Sequence, residues 1–131
     1  SGLCIKALAG KPGIYSARLA KNRGSFDKAM KFILKKMKKK LNRSATFVCS
    51  LSLKYPKGKL ITVVGKIKGS ISYKILGNKG FGYDPIFFVP ELNHTAAELS
   101  IDIKNKFSHR GQANRILVKQ LLDEKLIVKQ K

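Results

Sequence analysis

The sequence predicts a single α/β domain, and three observations carry that prediction. Residues 45–53 alternate apolar and polar, and a second patterned run from about Leu60 to Tyr73 follows a turn, so the middle of the chain reads as an antiparallel hairpin. Apolar residues recur at helical spacing ahead of the hairpin, from Phe26 to Leu41, and again behind it, from Ala113 to Leu121. At 131 residues with 44% hydrophobic content, the chain can bury one core without disulfides or metals, and a second full domain is not expected.

Taken in order, residues 2–9 are short and mostly apolar, which predicts a buried strand. Gly10, Pro12, Gly13 and Gly24 punctuate residues 10–24 as a loop, with 14–18 as an ordered island inside it. Ser25 is placed to cap the next helix and Asp27 suits its first turn. Phe26, Ala29, Met30, Ile33, Leu34, Met37 and Leu41 then form an apolar stripe with lysines between them. Ala45, Phe47, Cys49, Leu51 and Leu53 face one way along the first hairpin strand, and Ile61, Val63, Ile67 and Ile71 along the second. Tyr55-Pro56-Lys57-Gly58 is the turn, and Gly65 and Gly69 predict a bend or bulge. Ile86-Phe87-Phe88-Val89 reads as another strand. Thr95-Ala96-Ala97-Glu98 matches a capping box and predicts a short helix. Ser108 caps the final helix, whose stripe is Ala113, Ile116, Leu117 and Leu121, running to a basic C-terminal end.

The formal net charge of +21 raises nucleic acid as a partner, but only five of the 28 basic residues are arginines and the lysines spread over nearly every segment. Lysines on solvent faces, as an AT-rich genome would encode, are the commoner explanation, and nucleic acid is not expected as a partner. Cys4 and Cys49 sit in apolar runs that suit buried, reduced thiols and a cytoplasmic protein. No apolar run approaches the ~20 residues of a membrane-spanning helix, and residues 1–20 do not resemble a signal peptide.

One stretch breaks the strand grammar: Gly80-Phe81-Gly82-Tyr83-Asp84-Pro85, where glycines, aromatics and one carboxylate replace β-branched residues. Glycines admit a close backbone approach, Phe81 and Tyr83 offer flat faces, and Asp84 offers an acceptor, which together predict a ligand loop. Downstream, Ser108-His109-Arg110 at a helix start, with Lys104 one turn before, could grip phosphates or donate to a carbonyl oxygen. Helix capping by Ser108 with two exposed neighbours explains the same residues equally well. Seven carboxylates are few for a metal site, and no Walker loop or serine or cysteine nucleophile constellation is present.

The motifs Ser1-Gly2-Leu3, residues 12–18 (Pro-Gly-Ile-Tyr-Ser-Ala-Arg), residues 80–87, Thr95-Ala96-Ala97-Glu98-Leu99 and residues 108–113 fall in the order and spacing of a known family. Across nearly its whole length the chain resembles the non-canonical purine nucleoside triphosphate pyrophosphatases, which act on inosine and xanthosine triphosphates and their deoxy forms. The resemblance implies a two-lobed α/β protein with a mixed central sheet, flanking helices, the nucleotide in the cleft, and a homodimer. It implies that Phe81 stacks on the purine, with Tyr83, Asp84, His109 and Arg110 around the base, and that Ser1, Gly82, Lys104 and Ser108 belong to the same substrate site, the last two on ribose or triphosphate. It further implies Mg²⁺-assisted attack of water on the α-phosphate, releasing pyrophosphate and leaving the monophosphate.

The chain departs from that family at its start. Members open with a strand and a phosphate-binding loop of threonine, asparagine and lysine, then carry a metal-binding glutamate and an acidic pair directly before Ser-Gly-Leu. None of these is in the sequence, so residues 1–131 are expected to form one domain lacking that strand and loop, with no catalytic acid, no metal ligand of its own and little turnover. The absence of an initial methionine fits either a processed start or a part of a longer protein. A basic nucleic-acid- or nucleotide-binding protein without turnover is the alternative.

Overall fold

The computed structural model describes residues 1–54 and 58–123. Three of the four residues of the expected turn at 55–58, and the basic C-terminal end, lie outside the described residues. Strands β1 (Gly2–Ile5), β2 (Lys11–Gly13), β3 (Ser44–Lys54), β4 (Leu60–Ile71), β5 (Phe87–Val89) and β6 (His94–Thr95) form one sheet in the order β2-β1-β3-β4-β5-β6. Helices α1 (Ser16–Arg23) and α2 (Phe26–Met37) precede the hairpin, and α3 (Ile101–Phe107) and α4 (His109–Asp123) follow it. The α/β expectation holds. The sheet differs from the mixed one expected, since every described pairing is antiparallel. No helix among the described residues is long and apolar enough to cross a membrane.

The period-2 pattern of the hairpin is realised in full. Pairing between β3 and β4 runs without interruption from Ser44 opposite Ser70 to Lys54 opposite Leu60. There is therefore no bulge at Gly65 or Gly69. At Gly69 a Cβ would stand 2.4 Å from the Phe88 carbonyl oxygen and 2.8 Å from the Phe87 ring, so glycine is there to let β5 approach β4. The strand ends at Ile71 rather than Tyr73, because Ser72 N–H already donates to the Ile86 carbonyl at 2.9 Å.

The core lies on one face of the sheet and falls into two clusters. In the first, Leu3, Ile5, Ala45, Phe47, Ile71 and Phe87 pack against Ala29, Met30, Ile33 and Met37 of α2. Burying side chains of that size stabilises by about 2 kcal/mol each. In the second, Cys49, Ile61 and Val63 pack against Ala113 and Leu121 of α4. The helix-capping expectations hold at both ends: Ser25 Oγ accepts from Lys28 N at 3.1 Å, and Ser108 Oγ accepts from Gly111 N at 2.9 Å.

Other expectations need correction. The stripe of α2 stops at Met37, and Leu41 lies beyond the helix, fully exposed. Ile116 of α4 is exposed, leaving Ala113, Leu117 and Leu121 as the packed stripe. Cys4 is only half-buried, on the face opposite Leu3, while Cys49 is in the core and both thiols are free. The strand at 2–9 ends at Ile5 and gives way to a 3-10 turn, Lys6–Leu8, closed by Ala9 in the left-handed region. The loop at 10–24 contains β2, with a cis Lys11–Pro12 bond, and the helix α1. The capping box at Thr95 and Glu98 forms, but it starts only a single 3-10 turn. Thr95 N donates to Glu98 at 2.9 Å, and that backbone bond holds the Glu98 carboxyl below its ordinary range.

A buried cation ties the first cluster together. Arg43 donates from Nε to the Ile71 carbonyl at 2.8 Å, and from its two terminal nitrogens to Met37 at 2.9 Å and Ser72 at 2.8 Å. The Tyr73 ring lies 4.0 Å from the guanidinium carbon. The positive charge thus sits at the C-terminal end of α2, where the helix dipole favours it.

Candidate functional site

The glycine-rich loop ahead of β5 is shaped by two left-handed glycines, Gly80 at φ +77° and Gly82 at φ +62°. They turn the chain into a 3-10 turn, Asp84–Ile86, that buries the Asp84 side chain to 6% exposure. One carboxylate oxygen, Oδ2, accepts from the backbone N–H of Phe81 at 3.0 Å and also takes the ammonium of Lys104. The other has no hydrogen-bond partner among the described residues. The Phe81 ring is 64% exposed, with Lys104 Nζ 4.1 Å from its centroid and the Arg110 guanidinium carbon 5.7 Å away. A ring flanked by two cations, with a carboxylate behind it, is preorganised for a flat polar ligand.

Lys104 reaches this point because α3 is a short presenting element. Ser100 caps it, with Ile103 N donating to its hydroxyl at 3.3 Å, and no residue of the helix is buried. The corner between α3 and α4 is a backbone contact, since a Cβ at Gly111 would lie 2.7 Å from the Asn105 carbonyl oxygen. Arg115 bonds the carbonyls of Asn105 and Lys106 across that corner. Gln112 accepts from Lys66 N at 2.5 Å and fastens α4 to β4. Much of the 108–113 motif therefore builds the corner that holds Lys104 and Arg110 in place.

Between this corner and the loop lies a cavity of ≈ 630 Å³ on the packed face of the sheet. Phe47, Leu51, Ile67 and Phe87 form its apolar floor, Phe81 and Asp84 one side, and Lys104, Ser108 and Arg110 the other. Its size is within the range of nucleotide and cofactor sites. Of the residues singled out from sequence, Phe81, Asp84, Lys104, Ser108 and Arg110 converge on it. Ser1 is exposed and does not line it, Gly82 contributes backbone shape, and the side chain of His109 lies outside what the structure describes. Asn105, Asn114 and Arg115 also line the cavity, and sequence reasoning missed them. The signal was available for Asn114, which stands one helical turn beyond Arg110.

Tyr83 turns the other way. It is 4% exposed, its hydroxyl donates to the Ser16 carbonyl at 2.5 Å, and its ring meets Phe26 edge-on at 5.1 Å between centroids. Burial raises its pKa to about 12 from 10.0. The protonated form is thus favoured by folding, so its contribution is complete below pH 10 and is lost as the pH rises towards 12. Two units correspond to ~3 kcal/mol. Tyr83→Phe is expected to lose about 1 kcal/mol at neutral pH, with the hydroxyl's bond to Ser16. Urea denaturation should also show the gap to wild type closing or reversing between pH 10 and 12. A gap constant across that range would contradict the buried assignment.

Fold and site together define an α/β protein with a cation-flanked aromatic lip over a nucleotide-sized cavity. The Ham1 family model matches residues 1–120, and the chain belongs to the Ham1 family. A dITP/XTP pyrophosphatase of an Exiguobacterium species is 48% identical over 122 residues, which cover 93% of this chain and 62% of that protein. A dITP/XTP pyrophosphatase of Staphylococcus epidermidis is 45% identical over 124 residues, covering 95% and 64%. The solved Staphylococcus aureus Ham1 protein superposes with a TM-score of 0.89 at 41% identity, over 94% of this chain and 64% of that one. The chain thus spans about three fifths of the length of the curated relatives it matches.

Proposed function

We propose that the cavity is the purine-reading part of a nucleotide site, and that the protein serves hydrolysis of inosine, deoxyinosine and xanthosine triphosphates to the monophosphate and pyrophosphate. The observation that carries this reading is the Phe81 ring flanked by Lys104 and Arg110, with Asp84 behind it. A 6-oxo purine presents a carbonyl acceptor beside a ring N–H. Adenine presents an amino donor beside a ring acceptor. Lys104 and Arg110 are donors only, and Asp84 keeps one carboxylate oxygen open. A purine with position 6 towards the cations and N1 towards the carboxylate is therefore matched when it is 6-oxo and opposed when it is adenine, which reverses the two groups. The relatives named dITP/XTP pyrophosphatase support the same substrate class.

Asp84 acquires a different weight from the one the resemblance gave it. It is held by Lys104 and by the Phe81 N–H, so it positions the ring and the ammonium as well as offering an acceptor. Mg²⁺ needs one or two carboxylates with oxygens to spare. Asp84 is the one carboxylate among the described residues lining the cavity, the Lys104 ammonium paired with it sets a positive charge beside its open oxygen, and no group of three or more His, Cys, Asp or Glu stands together among the described residues. These residues do not suit the ion, and what they supply is base recognition. The two free cysteines support the cytoplasmic placement, and the homodimer is proposed on the resemblance alone.

Arg110→Ala tests the assignment. The exposed guanidinium makes no described contact with the core, so folding should be unaffected. The ratio of inosine to adenosine triphosphate affinity, measured by calorimetric titration, is expected to fall about tenfold, the worth of one charge-assisted hydrogen bond. An unchanged ratio means Arg110 does not read the base.

A further inference from the structure

The fold brings Arg23 of α1 onto Phe32 of α2 beside Lys36, within a stretch already dense in cations. Residues 18–40 hold ten lysines and arginines against one carboxylate, Asp27, and Asp27 is paired with Lys31 at 2.9 Å. The apolar side of α2 is used up in the core by Ala29, Met30, Ile33 and Met37, so the rest of its surface is mostly lysine, with Phe32 half-buried among the charges. There Lys28, Phe32 and Lys36 follow one another at intervals of four residues, about 6 Å apart along the axis. Arg23, at the end of α1, sets its guanidinium carbon 3.7 Å from the Phe32 ring centroid, and Lys36 Nζ lies 5.3 Å from the same ring.

Neither Arg23 nor Lys36 has an acceptor among the described residues. A guanidinium held against a ring keeps its planar fork in one orientation with its donors unused, which is the preparation that phosphate oxygens reward. We propose that the outer face of α1 and α2 binds the sugar-phosphate backbone of nucleic acid, with Arg23 as its fixed contact and Lys28 and Lys36 beside it. Evenly spaced cations suit a repeating polyanion. A bilayer is disfavoured, because a helix that lies in a membrane surface inserts its apolar side, and here that side is in the core.

Fluorescence anisotropy of a labelled single-stranded RNA oligonucleotide tests this with the whole chain. Wild type should bind with strong salt dependence. Arg23→Gln with Lys36→Gln should make the slope of log K against log salt shallower by about 1.4, two contacts' worth for a single strand. Lys66→Gln with Lys68→Gln removes the same charge from the exposed face of the sheet and should leave binding unchanged. Phe32→Leu keeps every charge and should weaken binding several-fold by releasing Arg23. Equal losses in both double variants would reduce the effect to net charge and overturn the assignment, as would no loss in either. Tighter binding to phosphatidylserine vesicles than to RNA would also overturn it.

Discussion

Arg43→Ala is expected to lower the unfolding free energy by about 4 kcal/mol in urea denaturation at neutral pH. The guanidinium satisfies the carbonyls of Met37, Ile71 and Ser72, which belong to the end of α2 and the end of β4. Charge-assisted bonds are worth about 1.5–3 kcal/mol each in net terms, and water entering the vacated site recovers part of the loss. Arg43→Lys should recover less than half, because an ammonium on a flexible stem cannot meet three carbonyls in one plane. A loss below about 1 kcal/mol for Arg43→Ala would mean that the three carbonyls find other partners and that the cation is not what joins α2 to the sheet.

Gly80→Ala is expected to weaken inosine triphosphate binding by at least about a hundredfold, the worth of two or so lost polar contacts. A Cβ there would stand 2.3 Å from Asp84 Oδ2 and 3.0 Å from Lys104 Nζ, so the buried carboxylate that supports Phe81 must move from its place, and its pairing with Lys104 is disturbed. Gly80 is also at φ +77°, where a side chain adds about 1–2 kcal/mol of strain. Gly10→Ala isolates that second effect, since Gly10 has φ +81° and open space around its Cβ position. The Gly10 variant should lose stability and keep nucleotide affinity. If both variants bind alike, displacement of the Asp84–Lys104 pair is not what binding senses.

How much of this was legible in the sequence depends on whether burial is one-sided and local. The hairpin and α2 were, because a half-buried strand and an amphipathic helix each imprint a period, and the residues expected inside β3, β4 and most of α2 are buried, or half-buried in the case of Leu51, Leu53 and Ile67. Helix α1 was not, since it buries only Ser16 and Ala20, and glycines flank it on both sides. Helix α3 buries nothing and exists to present Lys104, so no stripe announced it. Within the loop, Phe81 and Tyr83 looked equivalent. Their difference comes from a hydrogen bond between Tyr83 and Ser16, 67 residues away, which no local pattern encodes. Arg43 likewise stood among the other arginines until the carbonyls of Ile71 and Ser72, 28 and 29 residues away, gave it a purpose.

The fold brings the side chains of the proposed purine pocket together from two separated stretches, residues 80–84 and 104–110. The most direct test is calorimetric titration of the 131-residue chain with inosine triphosphate and with adenosine triphosphate, under identical salt so that phosphate attraction cancels. Inosine triphosphate is expected to bind at least about tenfold more tightly, because adenine sets a donor against Lys104 and Arg110 where the 6-oxo group sets an acceptor. Equal affinities, or tighter binding of adenosine triphosphate, would contradict the claim that this cavity reads the purine edge.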